Sequence, residues 1–264
     1  MTVREALRLA ERQLADAGVD APRVDAELLL AHVLGTSRSG VYAQAEREVP
    51  GTWQVLLGRR CRREPLAYVL GEWGFRRLVL KTDARALVPR PETEVVVERC
   101  LELLRGDPAP RVLDVGTGTG AIAFAIADEH AGAHVTAVDT SSAAVELARE
   151  NVERLGLDVE LRSGGIDIAG EGWDLVVSNP PYVTLGEWDT LQPEITEWEP
   201  RDALVGVGVH ERIARVAKTR FLVFETHECQ ADDVAGMVAS LGYVDVAVTP
   251  DLAGKPRVVE GRRA

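Results

Sequence analysis

The chain predicts an α/β protein: a doubly wound, mostly parallel sheet of seven strands, preceded by a small all-α domain and a β-hairpin linker. Three observations lead there. From residue 89 to the end, short apolar runs alternate with segments of helical period, and strands joined by crossover helices form a parallel sheet. The first 72 residues carry helical period. Around Gly71-Glu72-Trp73-Gly74-Phe75 the period shifts to that of a strand.

Taken in order, Thr2 and Glu5 form a capping box, and Val3, Leu7, Ala10 and Leu14 recur at helical spacing. Pro22 opens a second helix carrying Val24, Leu28 and Ala31, which Gly35 stops. A third begins after Thr52 and runs through Arg59, Arg60, Arg62 and Arg63 to Pro65. The arginine cluster reads as a solvated helix face, with a docking surface for a macromolecular partner as the sharper alternative. Residues 75–81 and 86–88, broken at Thr82-Asp83, read as the hairpin. Helices are then expected over 92–104, 121–129, from a Ser141 cap to Arg154, 211–216 and 231–241. Strands are expected over 111–115, 134–139, 159–162, 173–177, 221–224, 244–249 and 257–260. The expected domains are 1–72 (helical), 73–88 (hairpin linker) and 89–264 (α/β).

Composition narrows the setting. With 46% hydrophobic and 27% charged residues, the 264-residue chain has the balance of a soluble globule. No apolar stretch reaches membrane-spanning length, and the start Met1-Thr2-Val3-Arg4-Glu5 does not read as a secretory signal. A cytoplasmic protein without membrane attachment is expected. Cys61, Cys100 and Cys229 lack Cys-x-x-Cys spacing and read as reduced thiols, and His227-Glu228-Cys229 lacks the second histidine of a zinc-protease helix. No metal is expected. The net charge of −12 argues against direct nucleic-acid binding, which relies on Lys and Arg neutralising phosphates.

Two strand-to-loop motifs carry the chemistry. Val112-Leu113-Asp114-Val115 runs into Gly116-Thr117-Gly118-Thr119-Gly120, where glycines permit unusual dihedrals and close backbone approach to a ligand. With Asp139 closing the next strand as an acceptor for ribose hydroxyls, this pattern fits a dinucleotide fingerprint as well as an S-adenosylmethionine site. The second motif, Asn179-Pro180-Pro181-Tyr182 after Trp173-Asp174-Leu175-Val176-Val177-Ser178, separates the two. Its asparagine carbonyl and proline backbone carbonyl are two acceptors for the two N–H bonds of one planar NH2 group, and neither proline has an N–H of its own. Hydride transfer has no use for such a pair. Methyl transfer to an amide does, because an amide nitrogen is a poor nucleophile that must be oriented and have its developing charge stabilised. Asn179, Pro180 and Tyr182 are therefore the candidate catalytic residues, with Pro181 joining them against substrate. No general base is assigned.

At this point the chain resembles the bacterial release-factor glutamine methyltransferases. The resemblance covers most of the length: Pro65-Leu66-Ala67-Tyr68, Gly71-Glu72-Trp73-Gly74, Val88-Pro89-Arg90-Pro91-Glu92-Thr93-Glu94, both motifs above, Glu199-Pro200 before Ala203-Leu204, and Asp251-Leu252-Ala253-Gly254 running into Arg257-Val258-Val259. It implies a Rossmann-like methyltransferase fold and methylation of the glutamine side chain in the Gly-Gly-Gln loop of class 1 peptide-chain release factors. It also implies an N-terminal domain that engages the factor. Cofactor contacts would come from Gly116 to Gly120, Asp139 and Asn179, and substrate contacts from Asn179 to Tyr182. Two stretches depart from the pattern. Ser163-Gly164-Gly165-Ile166 replaces an acidic residue and an aromatic that contact adenine, leaving those contacts absent or moved to Asp167. The stretch 202–220 reads as shortened and without a glycine-rich turn. The rival readings are an adenine-amino methyltransferase and a catalytically weak, cofactor-binding interaction protein.

Overall fold

The computed structural model describes residues 1–263, which form two compact units: Met1–Glu72 with Leu191–Trp198, and Trp73–Thr190 with 199–263. The first unit is helical, with α1 (Val3–Asp16), α2 (Pro22–Leu34), α3 (Arg38–Ala43), α4 (Trp53–Cys61) and α5 (Leu66–Leu70). The capping box of α1 closes from both sides: the Thr2 N–H donates to Glu5 Oε2 at 2.9 Å and the Glu5 N–H to Thr2 Oγ1 at 3.3 Å. Val3, Ala6, Leu7, Ala10 and Leu14 form its buried face, and α2 ends on left-handed Gly35.

The arginine cluster is neither a solvated face nor a free docking surface. Helix α4 stops at Cys61, and Arg63 takes a left-handed turn (φ 62°) that lets its guanidinium reach Gly18 O at 2.6 Å. Arg60 is 6% exposed and donates to Asp25 Oδ2 at 2.7 Å and Glu194 Oε1 at 2.8 Å. Arg63 grips both Glu194 oxygens at 2.6 Å. Arg59 is spent on Glu64 and on the carbonyls of Tyr68 and Val69. Of the four, Arg62 alone is exposed. A charge removed from water must be paired, and the carboxylates responsible are spread along the sequence, beyond the reach of a helix-face argument.

The second unit opens on a hairpin displaced from its expected position, β1 (Glu72–Phe75) and β2 (Leu78–Lys81), so residues 86–88 are not a strand. The turn is Arg76-Arg77, with Arg76 at φ 50°. That conformation is held by the Arg76 N–H donating to Glu94 Oε1 at 2.9 Å and by a guanidinium pair with Glu129. Neither residue is a turn former by type, so tertiary contacts decided the turn.

Beyond it come α6 (Thr93–Leu103), β3 (Arg111–Val115), α7 (Ala121–Glu129), β4 (His134–Asp139), α8 (Ser142–Leu155), β5 (Val159–Ser163), β6 (Trp173–Ser178), α9 (Leu185–Trp188), α10 (Pro193–Thr196, in the first unit), α11 (Val209–Val216), β7 (Thr219–Glu225), α12 (Ala231–Ser240), β8 (Val244–Pro250) and β9 (Pro256–Arg262). The strand order is β5-β4-β3-β6-β7-β9-β8; the first five are parallel, and β9 is antiparallel to both neighbours. One core, with Val112, Leu175, Val177 and Val223, packs under α6 and α7; the other, with Leu113, Val176, Leu222 and Phe224, packs under α11 and α12. Consecutive residues of each strand thus serve opposite faces, as a doubly covered sheet requires.

Candidate active site

The carboxyl ends of β3, β4 and β6 open into one cavity of about 690 Å³. Open α/β sheets bind ligands at this edge. Register brings the two motifs together: Val115 lies beside Ser178, and the Ser178 hydroxyl donates to Val115 O at 2.6 Å. The next residues on each strand, Gly116 and Asn179, both line the cavity.

The glycine loop is bent by three left-handed residues, Gly116 (φ 77°), Gly118 (φ 55°) and Gly120 (φ 89°). Gly116 has open space where a side chain would stand, and the Gly116 and Thr117 N–H groups donate to Val138 O. Gly120 is the most constrained: a Cβ there would fall inside the buried Phe124 ring. Beneath the loop, Asp114 accepts from Thr117 Oγ1 at 2.7 Å, and burial pushes its carboxyl up to about 7. Asp139 accepts from the Gly118 N–H at 3.0 Å and the Ser141 N–H at 2.9 Å, one bond to each oxygen. A carboxylate has about four acceptor positions, so roughly two remain, matching the paired hydroxyls of a ribose. The donor set fits a nucleoside-bearing cofactor.

Asn179, Pro180 and Pro181 line the same cavity, whereas Tyr182 does not. The Tyr182 ring instead lies 6.2 Å from that of His227, and its carbonyl accepts from Gln230 Nε2 at 3.1 Å. Burial, then the nearby Glu225, pushes its hydroxyl up to about 12. Among the described residues the Asn179 side chain is committed to no other protein group, which leaves it free for a ligand.

Other residues complete the wall. Arg90 donates to Glu199 Oε2 at 2.6 Å, joining the Pro-Arg-Pro-Glu-Thr-Glu run to the Glu199-Pro200 pair. The run is both a helix start, since α6 begins at Thr93, and a wall, since Arg90 and Thr93 line the cavity. Gly206 corrects the expectation for 202–220: a Cβ would stand 2.9 Å from Pro181 O, so a glycine turn does exist and lets this segment close on the Pro-Pro pair. Gly208, at φ 68°, then starts α11. A Gly-x-Gly between apolar residues was the available signal. Near β5, Gly164, Gly165, Ile166 and Asp167 all line the cavity, and the Gly164 N–H donates to Asp139 O at 3.0 Å.

The glycine loop after β3 and the Asn179-Pro180-Pro181 segment after β6 meet at the carboxyl edge of a seven-stranded sheet with one reversed strand, and the class this defines is the S-adenosylmethionine-dependent methyltransferases. Solved structures share the fold: the T. thermophilus 16S rRNA N2 G1207 methyltransferase in complex with AdoMet and guanosine aligns with TM-score 0.56 at 17% identity, over 73% of this chain and 50% of that one. A Pyrococcus furiosus methyltransferase aligns with TM-score 0.50 at 20% identity, over 70% and 88%. The PrmC N-terminal domain family matches residues 5–71 and the methyltransferase small domain family residues 94–195. The release factor glutamine methyltransferase of Deinococcus radiodurans is 40% identical over 281 residues, 100% of this chain and 99% of that protein. That of Geobacter sulfurreducens is 37% identical over 276 residues, 99% and 96%. The chain belongs to the release factor glutamine methyltransferase family.

Proposed function

We propose that this chain transfers the methyl group of S-adenosylmethionine to the side-chain amide nitrogen of the glutamine in the Gly-Gly-Gln loop of class 1 peptide-chain release factors. The observation that carries the reading is Asn179-Pro180-Pro181 on the wall of the cavity that the glycine loop also lines. When bound, the cofactor supplies a methyl group on a cationic sulfur. The chain does the rest by placement. The Asn179 side-chain carbonyl and the Pro180 backbone carbonyl accept the two N–H bonds of the amide, which orients its nitrogen and stabilises the positive charge that grows on it. Pro181 stiffens the segment and meets substrate beside them. Tyr182 does not line the cavity; its ring near His227 and its carbonyl bonded to Gln230 anchor the end of the segment.

The Gly116, Thr117, Gly118, Thr119 and Gly120 backbone lies against the cofactor, Asp139 accepts its ribose hydroxyls and Asp167 stands in for the missing adenine-side carboxylate. The helical unit supplies binding energy remote from the reacting amide, which selection of one glutamine in a whole protein requires. No helix among the described residues is long and apolar enough to cross a membrane, and the cytoplasm, where release factors act, is the proposed compartment.

Incubating the protein with methyl-labelled cofactor and, separately, release factor, a Gly-Gly-Gln peptide and nucleic acid, then mapping the label, tests the reading. Label on the loop glutamine is expected. Label on adenine, which offers the same planar NH2, would replace it, as would cofactor binding with no turnover. Asp139→Ala is expected to weaken cofactor binding about tenfold or more, the loss of hydrogen bonds to a charged acceptor. Calorimetry showing unchanged affinity would remove Asp139 from the ribose site.

A further inference from the structure

Glu225 ends β7 one residue past Phe224, which registers with Ser178, so Glu225 and Asn179 leave adjacent parallel strands side by side. Glu225 is 1% exposed and lies against Thr93, a residue of the cavity wall, while Oε2 has no partner among the described residues. The next hydroxyl, that of Thr226, is buried and unpartnered as well. The charged and titratable groups facing Glu225 are Arg90 and Glu92 ahead of α6, Tyr182 after β6, Arg257 on β9, and His210 on α11, whose Nε2 lies 2.9 Å from the Glu225 carbonyl oxygen. Neither arginine is spare: Arg90 is bonded to Glu199, and Arg257 donates to Asp251 Oδ2 at 3.3 Å and Thr226 O at 3.2 Å. Glu225 is therefore a buried carboxyl without a cation of its own, one step along the sheet edge from the candidate methyl-transfer residues.

An arrangement of this kind weakens the fold. Burial pushes the Glu225 carboxyl up to about 7, outweighing the nearby Thr93 hydroxyl and the charge of Arg257. A carboxyl whose pKa rises on folding adds no penalty below its unfolded value, near 4.5, and destabilises increasingly as pH climbs from there to about 7. A glutamine of the same shape would avoid that penalty. The charge has a use only toward something positive that enters the site.

We infer that Glu225 is a positioning residue for methyl transfer, its carboxylate acting through Thr93 and the 179–182 segment to favour positive charge at the reacting centre. The inference rests on the proposed methyl transfer. The cation it answers is the cofactor's sulfonium together with the charge that grows on the substrate nitrogen.

The test compares Glu225→Gln and Glu225→Asp with the wild type in melting temperature at pH 8 and pH 4 and in steady-state kinetics on a release factor. Glu225→Gln should melt a few degrees higher than the wild type at pH 8, with no gain at pH 4. Its kcat should fall roughly tenfold or more through lost electrostatic preorganisation, with KM for the release factor unchanged. Glu225→Asp, which keeps the charge, should recover part of that kcat. A more stable but slower enzyme is an outcome a purely structural residue does not give. Wild-type kcat in Glu225→Gln, or a kcat loss matched by a loss of stability at pH 8, would overturn the role. A wild-type enzyme inert on release factors would count instead against the proposed substrate, and the melting comparison would still report on the burial of the charge.

Discussion

Asn179→Ala is expected to lower kcat about a hundredfold or more, the loss of roughly 3 kcal/mol that follows removal of one preorganised hydrogen-bond partner from a transition state. The structure makes this a clean test. Asn179 is half-buried on the cavity wall, and among the described residues its side chain holds nothing else in place. Melting temperature should therefore stay close to wild type. Because the interaction strengthens only as charge grows on the nitrogen, kcat and kcat/KM should fall together, with KM nearly unchanged. Asn179→Asp separates geometry from charge, since it keeps an acceptor but sets an anion beside a cationic cofactor. Near-normal turnover in a folded Asn179→Ala enzyme would remove the residue from the mechanism.

Arg60→Met should carry the largest stability loss, about 3–5 kcal/mol, the range for breaking a buried ion pair from one side. Arg60 bridges Asp25 and Glu194; Arg63 still covers Glu194, but Asp25 is left alone. Burial already raises the Asp25 carboxyl against the hydrogen bond from Arg60. Without that bond it rises further, so the penalty applies above the unfolded value of 3.8 and vanishes below it. The gap between mutant and wild type should thus narrow as pH falls, and denaturant unfolding at pH 8 and pH 4 measures both ends. A double change, Arg60→Met with Asp25→Leu, should recover much of the loss, because removing both partners leaves no orphan charge. Arg62→Gln, at an exposed position, should lie within about 0.5 kcal/mol of wild type. Equal melting of the Arg60 and Arg62 variants would refute the pairing scheme.

These contrasts show where sequence reasoning reaches and where it stops. The seven strands and the longer helices between them were legible because each buries a periodic apolar face, and the glycine loop and Asn179 because strand-to-helix turns announce themselves; the four-residue helices α9 and α10, which bury nothing, gave no such signal. What stayed hidden depends on residues far apart in the chain. The turn at Arg76 is fixed by Glu94 and Glu129, so a hairpin read from residue types alone slid past its true position. The arginines looked like a surface because Asp25, Glu64 and Glu194 could not be placed beside them. Gly206 was overlooked because only the fold brings it against Pro181. Tyr182 shared a tetrapeptide with Asn179, yet the chain turns so that it meets His227 rather than the cavity.

The clasp on Glu194 also bears on how the protein is made. Arg63 and Glu194 are 131 residues apart in the chain. At about 5–20 residues per second, the acid follows the arginine out of the ribosome by on the order of 10 s. During that interval Arg60 has Asp25 as a partner, but Arg63 has none of its acid, so the helical unit can gather its apolar faces early and can lock only late. A nascent chain arrested before residue 194 should be more open to protease at the α4–α5 turn than one arrested after it.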